Sequence, residues 1–321
     1  MTLSDTAVRT RGLRLLNMAT ALPIAYAGTL ILLVCAYVFR PALLSPLLLL
    51  LIIRQAAPLG LAVIGQSLCM RILSIDLSFG GVAIGVSYIL TSGYVPGSEA
   101  VLIGCALLFG AAVGLANAFF IVRLRASSVI VTLAMGLLLT GVVIAFSQFR
   151  APGDAPALLK YIGQSRVSGV PLAPLLWLAL LIPVAWFLRR SVLGHYIDAI
   201  GANPRAAHAT GIPYGAIVVI VHVASSLFAV FSAFLLVGFV GMGSLDIGRD
   251  LALNSLAAVI LGGVTFGSGR GGVLGPAVAA FMLTFLFNLL TSFGLGEPSK
   301  LMLQGAIIAV AAIAYSARTK T

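Results

Sequence analysis

The sequence predicts an all-helical, polytopic membrane protein of about ten spans, and three observations carry that prediction. Hydrophobic residues make up 61% of the 321 positions and charged residues only 8%, where an average soluble domain carries about 25% charged residues. Apolar runs of about 20 residues, enough to cross a hydrocarbon layer of roughly 30 Å, follow one another almost end to end. The Arg and Lys residues stand singly or in pairs, mostly between those runs. One membrane domain over 1–321 accounts for this pattern, with 1–16 as a short N-terminal tail. The formal charge of +11 comes with no basic face or aromatic-basic alternation, which excludes nucleic acid as a partner. The lipid bilayer is the partner the composition requires.

Taken in order, apolar length and Gly/Pro breaks place helices near 17–38, 47–70, 79–93, 98–122, 127–148, 172–188, 214–240, 251–265, 274–293 and 301–316. Arg9, Arg11 and Arg14 before the run Ala21–Phe39 resemble the start of a secretory signal. That run is too long and no small-residue cleavage site follows it, so it reads as the first membrane helix. Cys35, Cys69 and Cys105 lie inside apolar runs with no Cys-x-x-Cys spacing and no His nearby in sequence. They read as packing residues, with no metal site and no disulfide framework. The eighth segment, 251–265, is short and runs into Gly262, Gly263, Gly267, Gly269, Gly271 and Gly272. It either spans or re-enters, and non-helical backbone at membrane depth must be buried in protein or line a water-filled path. Gly114–Ile130 and Gly275–Leu301 each read as small-residue helix, short polar loop and apolar helix. Their opposite directions give either an inverted repeat, with a solute path at the repeat interface, or a chance likeness between apolar helices.

Orientation follows from the basic residues. With a cytoplasmic N-terminus, Arg71, Arg123, Arg125, Arg189, Arg190, Arg205, Arg270, Arg318 and Lys320 share its side, whereas Glu99, Asp154, Asp246, Asp250 and Glu297 dilute the basic residues opposite. That bias puts both termini in the cytoplasm.

Few residues can carry chemistry. Asp76 and Ser78, in Leu73-Ser-Ile-Asp-Leu-Ser-Phe-Gly-Gly81, put a carboxyl between two long apolar segments, where an ionised Asp costs a few kcal/mol unless paired or solvated. Either they mark a helix break facing a polar cavity, or Asp76 caps a helix beginning at Leu77. Asn117 follows the small-residue ridge Gly110-x-x-x-Gly114, which lets another helix approach closely. It bonds across helices or faces the solute. Gln66, Thr132, Asn254 and Asn288 are further neutral polar residues in apolar spans, each either a packing hydrogen bond or a ligand. The most polar internal stretch is 194–212, with His195, Asp198, Gly201, Asn203, Arg205, Ala206, His208 and Gly211. Asn203 as N-cap, Pro204 in the first turn and Gly211 as C-cap predict a short helix across the membrane face, suited to docking a soluble partner. No phosphate-binding loop is legible, since Gly262–Gly269 lacks the Lys-Ser/Thr ending. Any ATPase driving transport is then another chain. Intramembrane charges for a proton relay are few. His222 has no His-x-x-x-His or Gly-x-Ser-x-Gly setting, which argues against an intramembrane enzyme.

These residues resemble a known family. Ser74 to Gly80, then Gly114 to Asn117 through Val122, Leu124 and Ile130 to Leu133, are similar to the permeases of bacterial ABC importers for ribose, related sugars and autoinducer-2. Leu193 to Gly211 resembles that family's coupling-helix region, and Ala257 to Gly263 with the Gly-rich run resembles its C-terminal signature. The resemblance implies a type II importer-like subunit in the bacterial inner membrane, paired with an identical or paralogous second permease. It implies a periplasmic binding protein that delivers solute and cytoplasmic ATPases that bind ATP and Mg. In that scheme His195–Gly211 contacts the ATPase, while Asp76, Ser78, Asn117 and Thr132 lie at motif positions. The chain departs from the family pattern at Leu73 and Ser74, where two glycines are usual, and at Ser268 and Pro276. The alternative is an ion-coupled transporter or facilitator for a small neutral solute, which leaves 194–212 without a partner.

Overall fold

The computed structural model describes residues 23–147, 153–264, 269 and 271–318, and its long elements are all helical. The helices are α1 (Ile24–Phe39), α2 (Pro46–Arg71), α3 (Phe79–Thr91), α4 (Glu99–Arg123), α5 (Ser128–Ser147), α6 (Ala157–Gln164), α7 (Leu172–Arg190), α8 (Val192–Ala202), α9 (Pro204–Ala209), α10 (Tyr214–Val240), α11 (Leu251–Leu261), α12 (Leu274–Ser292) and α13 (Glu297–Arg318). A single 3-10 turn, Pro41–Leu44, joins α1 to α2, and a two-residue hairpin, Arg166–Val167 with Val170–Pro171, precedes α7.

Among the described residues, six helices are long and apolar enough to cross a membrane: α2, α4, α5, α7, α10 and α12. Three shorter apolar helices, α1, α3 and α11, accompany them. A helix therefore stands at each of the ten positions expected from apolar length. The tail 1–16 and the proposed start of the first helix at 17 lie outside the described residues. So do Gly267 and Ser268 of the Gly-rich run. Within its described part, α11 stops at Leu261, four residues before the expected end.

At the centre lies α10, packed antiparallel on α2 and against α3, α4 and α6. Small residues permit the approach. A Cβ at Gly65 of α2 would strike the backbone of Ser225, one at Gly114 of α4 the backbone around His222 and Val223, and one at Gly163 of α6 the backbone of Gly238. Where helices pack this closely, small residues let backbones touch and dispersion contacts accumulate. Ser232 of α10 also donates to the Pro58 carbonyl inside α2 at 2.8 Å. Glu99 at the start of α4 accepts from the Ala157 and Leu158 N–H groups (2.6 and 3.1 Å), filling donors that the first turn of α6 leaves open. Leu108, Ile130, Leu137, Leu138, Ile182 and Trp186 stand exposed on the outside of the bundle, the apolar surface that a bilayer or a second apolar subunit covers.

Candidate functional site

The chain between α2 and α3 is not helical, and the polar residues gather on it. Segment 72–78 runs through the core: Asp76 and Ser78 have no solvent exposure, and Leu73 sits at φ 62°. Helix α3 begins at Phe79, not at Leu77, so the helix is interrupted here, but the interruption faces buried side chains rather than the polar cavity expected of it. Asp76 Oδ1 accepts from the Ser78 N–H (3.0 Å) and hydroxyl (2.6 Å), and Oδ2 accepts from the Ser225 hydroxyl of α10 (2.8 Å). Asn117 of α4 donates to Ser78 Oγ at 3.1 Å. On α5, Thr132 Oγ1 accepts from the Leu77 N–H (2.9 Å) and donates to the Ser128 carbonyl (2.8 Å), while Ser128 Oγ accepts from the Ile75 N–H (3.2 Å). Ser74 Oγ and His222 Nε2 of α10 share a bond of 2.8 Å.

The fold thus brings Asp76, Ser78, Asn117 and Thr132 together, as one buried node rather than the wall of an open cavity. Seven residues of unpaired backbone would be costly in an apolar interior. Ser128 and Thr132 of α5 and Asp76 itself accept from the segment's N–H groups, α4 and α10 bond its side chains, and together they fix where the break lies. Sequence reading missed Ser225 and Ser128, whose role depends on tertiary contact and whose spacing inside apolar runs carried no signal; His222, which the sequence leaves without a catalytic setting, is a hydrogen-bonded packing residue. Cys69 also reaches this node, its sulfur lying with Asp76 and His222 ligand atoms within 4.8 Å of one another. The carboxyl is already engaged by three donors and the imidazole by Ser74, so the grouping works as a hydrogen-bonded pin.

Gln66 stands apart, with no solvent exposure and no hydrogen-bond partner for its amide among the described residues. Asn254 and Asn288 belong to neither feature. They line a cavity of about 490 Å³ with Gln55, Thr284, Thr291, Asp250 and Lys300. There Asn288 Nδ2 donates to Gln55 Oε1 at 2.9 Å. This cavity lies at the end of the bundle where α10 finishes.

At the other end, where α10 begins, lies the polar segment. It holds two helices rather than one. Ser191 caps α8 through the Gly194 N–H (3.1 Å), and Asn203 caps α9 by accepting from the Arg205 and Ala206 N–H groups (3.0 and 3.1 Å). Thr210 takes the C-cap position expected of Gly211. Gly211 follows it at φ 84°, a left-handed step that glycine makes without strain. His195, Arg205, Ala206 and His208 are solvent-facing, whereas Gly201 is buried. A second cavity, of about 690 Å³, opens between α9 and the start of α10, lined by Arg205, His208, Tyr214 and Gly215.

A family model described as "Branched-chain amino acid transport system / permease component" matches residues 48–312. The chain belongs to this permease family. The permease is 28% identical over 273 residues to the ribose import permease protein RbsC of Escherichia coli K12, covering 82% of this chain and 83% of that protein. It is 27% identical over 268 residues to the autoinducer 2 import system permease protein LsrD of the same strain, covering 80% of each. No solved structure matches the permease.

Proposed function

We propose that this chain is the membrane-spanning subunit of an ATP-binding-cassette importer that moves a neutral, polyhydroxylated solute, such as a sugar, a polyol or an autoinducer-2-like molecule, into the cytoplasm. The observation that carries the reading is family membership together with similarity over four-fifths of the chain to import permeases for ribose and autoinducer 2. The apolar helices lie in the bacterial inner membrane as about ten segments, of which α11 either spans or re-enters, both termini are cytoplasmic, and 114–130 and 275–301 are inverted counterparts. A cytoplasmic ATPase, which binds ATP and Mg, grips α8 and α9 through His195, Asn203, Arg205, Ala206 and His208, while Asp198 ties α8 to Arg71 of α2. A second permease, identical or paralogous, completes the path, and a periplasmic binding protein feeds it.

Asn254 and Asn288 serve the solute path directly, Gln66 is buried away from the cavity they line, and Asp76, Ser78, Asn117 and Thr132 serve the path by holding the helix break. The chemistry of the outer cavity favours a neutral solute. Its lining offers amides and hydroxyls and balances two cations, Arg249 and Lys300, with two carboxylates, Asp246 and Asp250, Arg249 lying 3.9 Å from Asp246 and Lys300 3.0 Å from Glu297 outside the lining. Hydroxyl-rich molecules suit such mixed donors and acceptors. Reconstitution in proteoliposomes tests the reading: uptake is expected only with ATPase, binding protein and ATP together. Uptake by this chain alone would overturn it in favour of a facilitator or ion-coupled carrier.

A further inference from the structure

One ion pair joins the cytoplasmic segment to the buried node. Arg71 is the last residue of α2, and its Nη2 donates to Asp198 Oδ1 of α8 at 2.5 Å. The two ends of this bond differ in setting, since the Arg71 side chain is 5% exposed and that of Asp198 58%. The backbone is fastened at the same place. A Cβ at Gly201 of α8 would strike the Arg71 carbonyl and Gly269, and one at Gly269 would strike the Arg71 carbonyl and Gly201. Both glycines therefore lie directly on the end of α2. Beyond Arg71 the chain leaves the helix, and Ser74, Ile75, Asp76, Leu77 and Ser78 are bonded in turn to α10, α5 and α4.

We propose that Arg71 is a positioning residue for transport: through Asp198 it makes the α8–α9 segment and the 72–78 break move as one body, so that force on α8 reaches α4, α5 and α10. The proposal rests on the reading of α8 and α9 as the ATPase-docking segment. Segment 72–78 is the element that can relay such a displacement. It has no helical ladder of its own, and its bonds lead to three separate helices. A guanidinium that is almost wholly buried with one carboxylate is costly to leave unpaired, so the pair resists separation when α8 is pulled. Surface ion pairs lack that resistance.

The test uses the full complex of permease, ATPase and binding protein in proteoliposomes, measuring solute uptake and ATP hydrolysis in the same vesicles. Variants are Asp198→Asn, Asp198→Glu, Arg71→Gln and the double variant. Because Asp198 is largely exposed, Asp198→Asn tests the pair even where Arg71→Gln fails to fold. In Asp198→Asn the ATPase is expected to co-purify and hydrolyse ATP at the basal rate. Solute molecules imported per ATP should fall about tenfold, the scale of a typical coupling between sites. Asp198→Glu should restore most of that ratio, and the double variant should be no worse than either single one. An unchanged ratio in Asp198→Asn would overturn the proposal. Loss of the ATPase from the Asp198→Asn complex would also overturn it, by making Asp198 a docking contact. If the wild-type chain itself fails to bind an ATPase, the docking reading falls first, and the proposal with it.

Discussion

Asp76 owes its place to its donors. A carboxyl group with no solvent exposure is tolerated when donors fill its oxygens, and Asp76 receives the Ser78 N–H, the Ser78 hydroxyl and the Ser225 hydroxyl. Asp76→Ala leaves those donors facing an empty space, at about 1–3 kcal/mol for each buried group that finds no new partner. Ser225→Ala removes only one donor and should cost about 1 kcal/mol. Thermal unfolding in detergent should therefore rank the variants wild type, Ser225→Ala, Asp76→Ala in falling midpoint. A wild-type midpoint in Asp76→Ala would mean that the node does not hold the break. Leu73 makes the opposite case. Its φ of 62° costs an L-residue about 1–2 kcal/mol, and its partly exposed side chain loses little packing when removed. Leu73→Gly should raise the midpoint modestly, the net gain being below about 1 kcal/mol because glycine also frees the unfolded chain.

At the scale of elements, apolar length was enough to locate the helices that carry the bundle. It could not locate α6, an eight-residue helix in a polar connection whose first turn is completed by Glu99 from a distant part of the chain. Nor did it reveal α8, since Val192–Ala202 mixes His195, Tyr196 and Asp198 with two glycines. The α9 turn was legible because Asn203, Pro204 and Gly211 are local signals that need no tertiary partner. Of the candidate site, the motif residues Asp76, Ser78, Asn117 and Thr132 could be named from sequence, but their convergence depends on helix register across α3, α4, α5 and α10. The same geometry separates two substitutions in the docking segment that look equivalent in sequence. Gly201 lies against the Arg71 carbonyl, so an arginine there would disrupt packing. Ala206 is exposed on α9, so Ala206→Arg should leave the unfolding midpoint within about 0.5 kcal/mol of wild type while abolishing uptake. Normal uptake by a folded Ala206→Arg would remove α9 from the docking surface.

Across the whole molecule, the two cavities lie at opposite ends of α10: the α9 cavity with Tyr214 and Gly215, the amide-lined cavity with Leu236. That separation gives the fold a direction. In the proposed function the α8–α9 segment acts at one end through Arg71 and the 72–78 break, and the cavity lined by Asn254, Asn288 and Gln55 at the other end is the proposed place of the solute. Truncating a side chain in the outer cavity should then change recognition without changing hydrolysis. Asn288→Ala removes a donor that now reaches Gln55 Oε1 and the Thr284 carbonyl, both at 2.9 Å. Losing one such hydrogen bond to a solute is worth about 0.5–1.5 kcal/mol, which raises KM roughly two- to tenfold when the contact is made equally in the bound and transition states. Uptake by the reconstituted complex should show that rise with basal ATP hydrolysis unchanged. Asp198→Asn should show the reverse pattern, an unaltered KM with fewer solute molecules moved per ATP. If both variants shifted the same parameter, the two ends of α10 would not be doing separate jobs, and the direction assigned to the fold would be wrong.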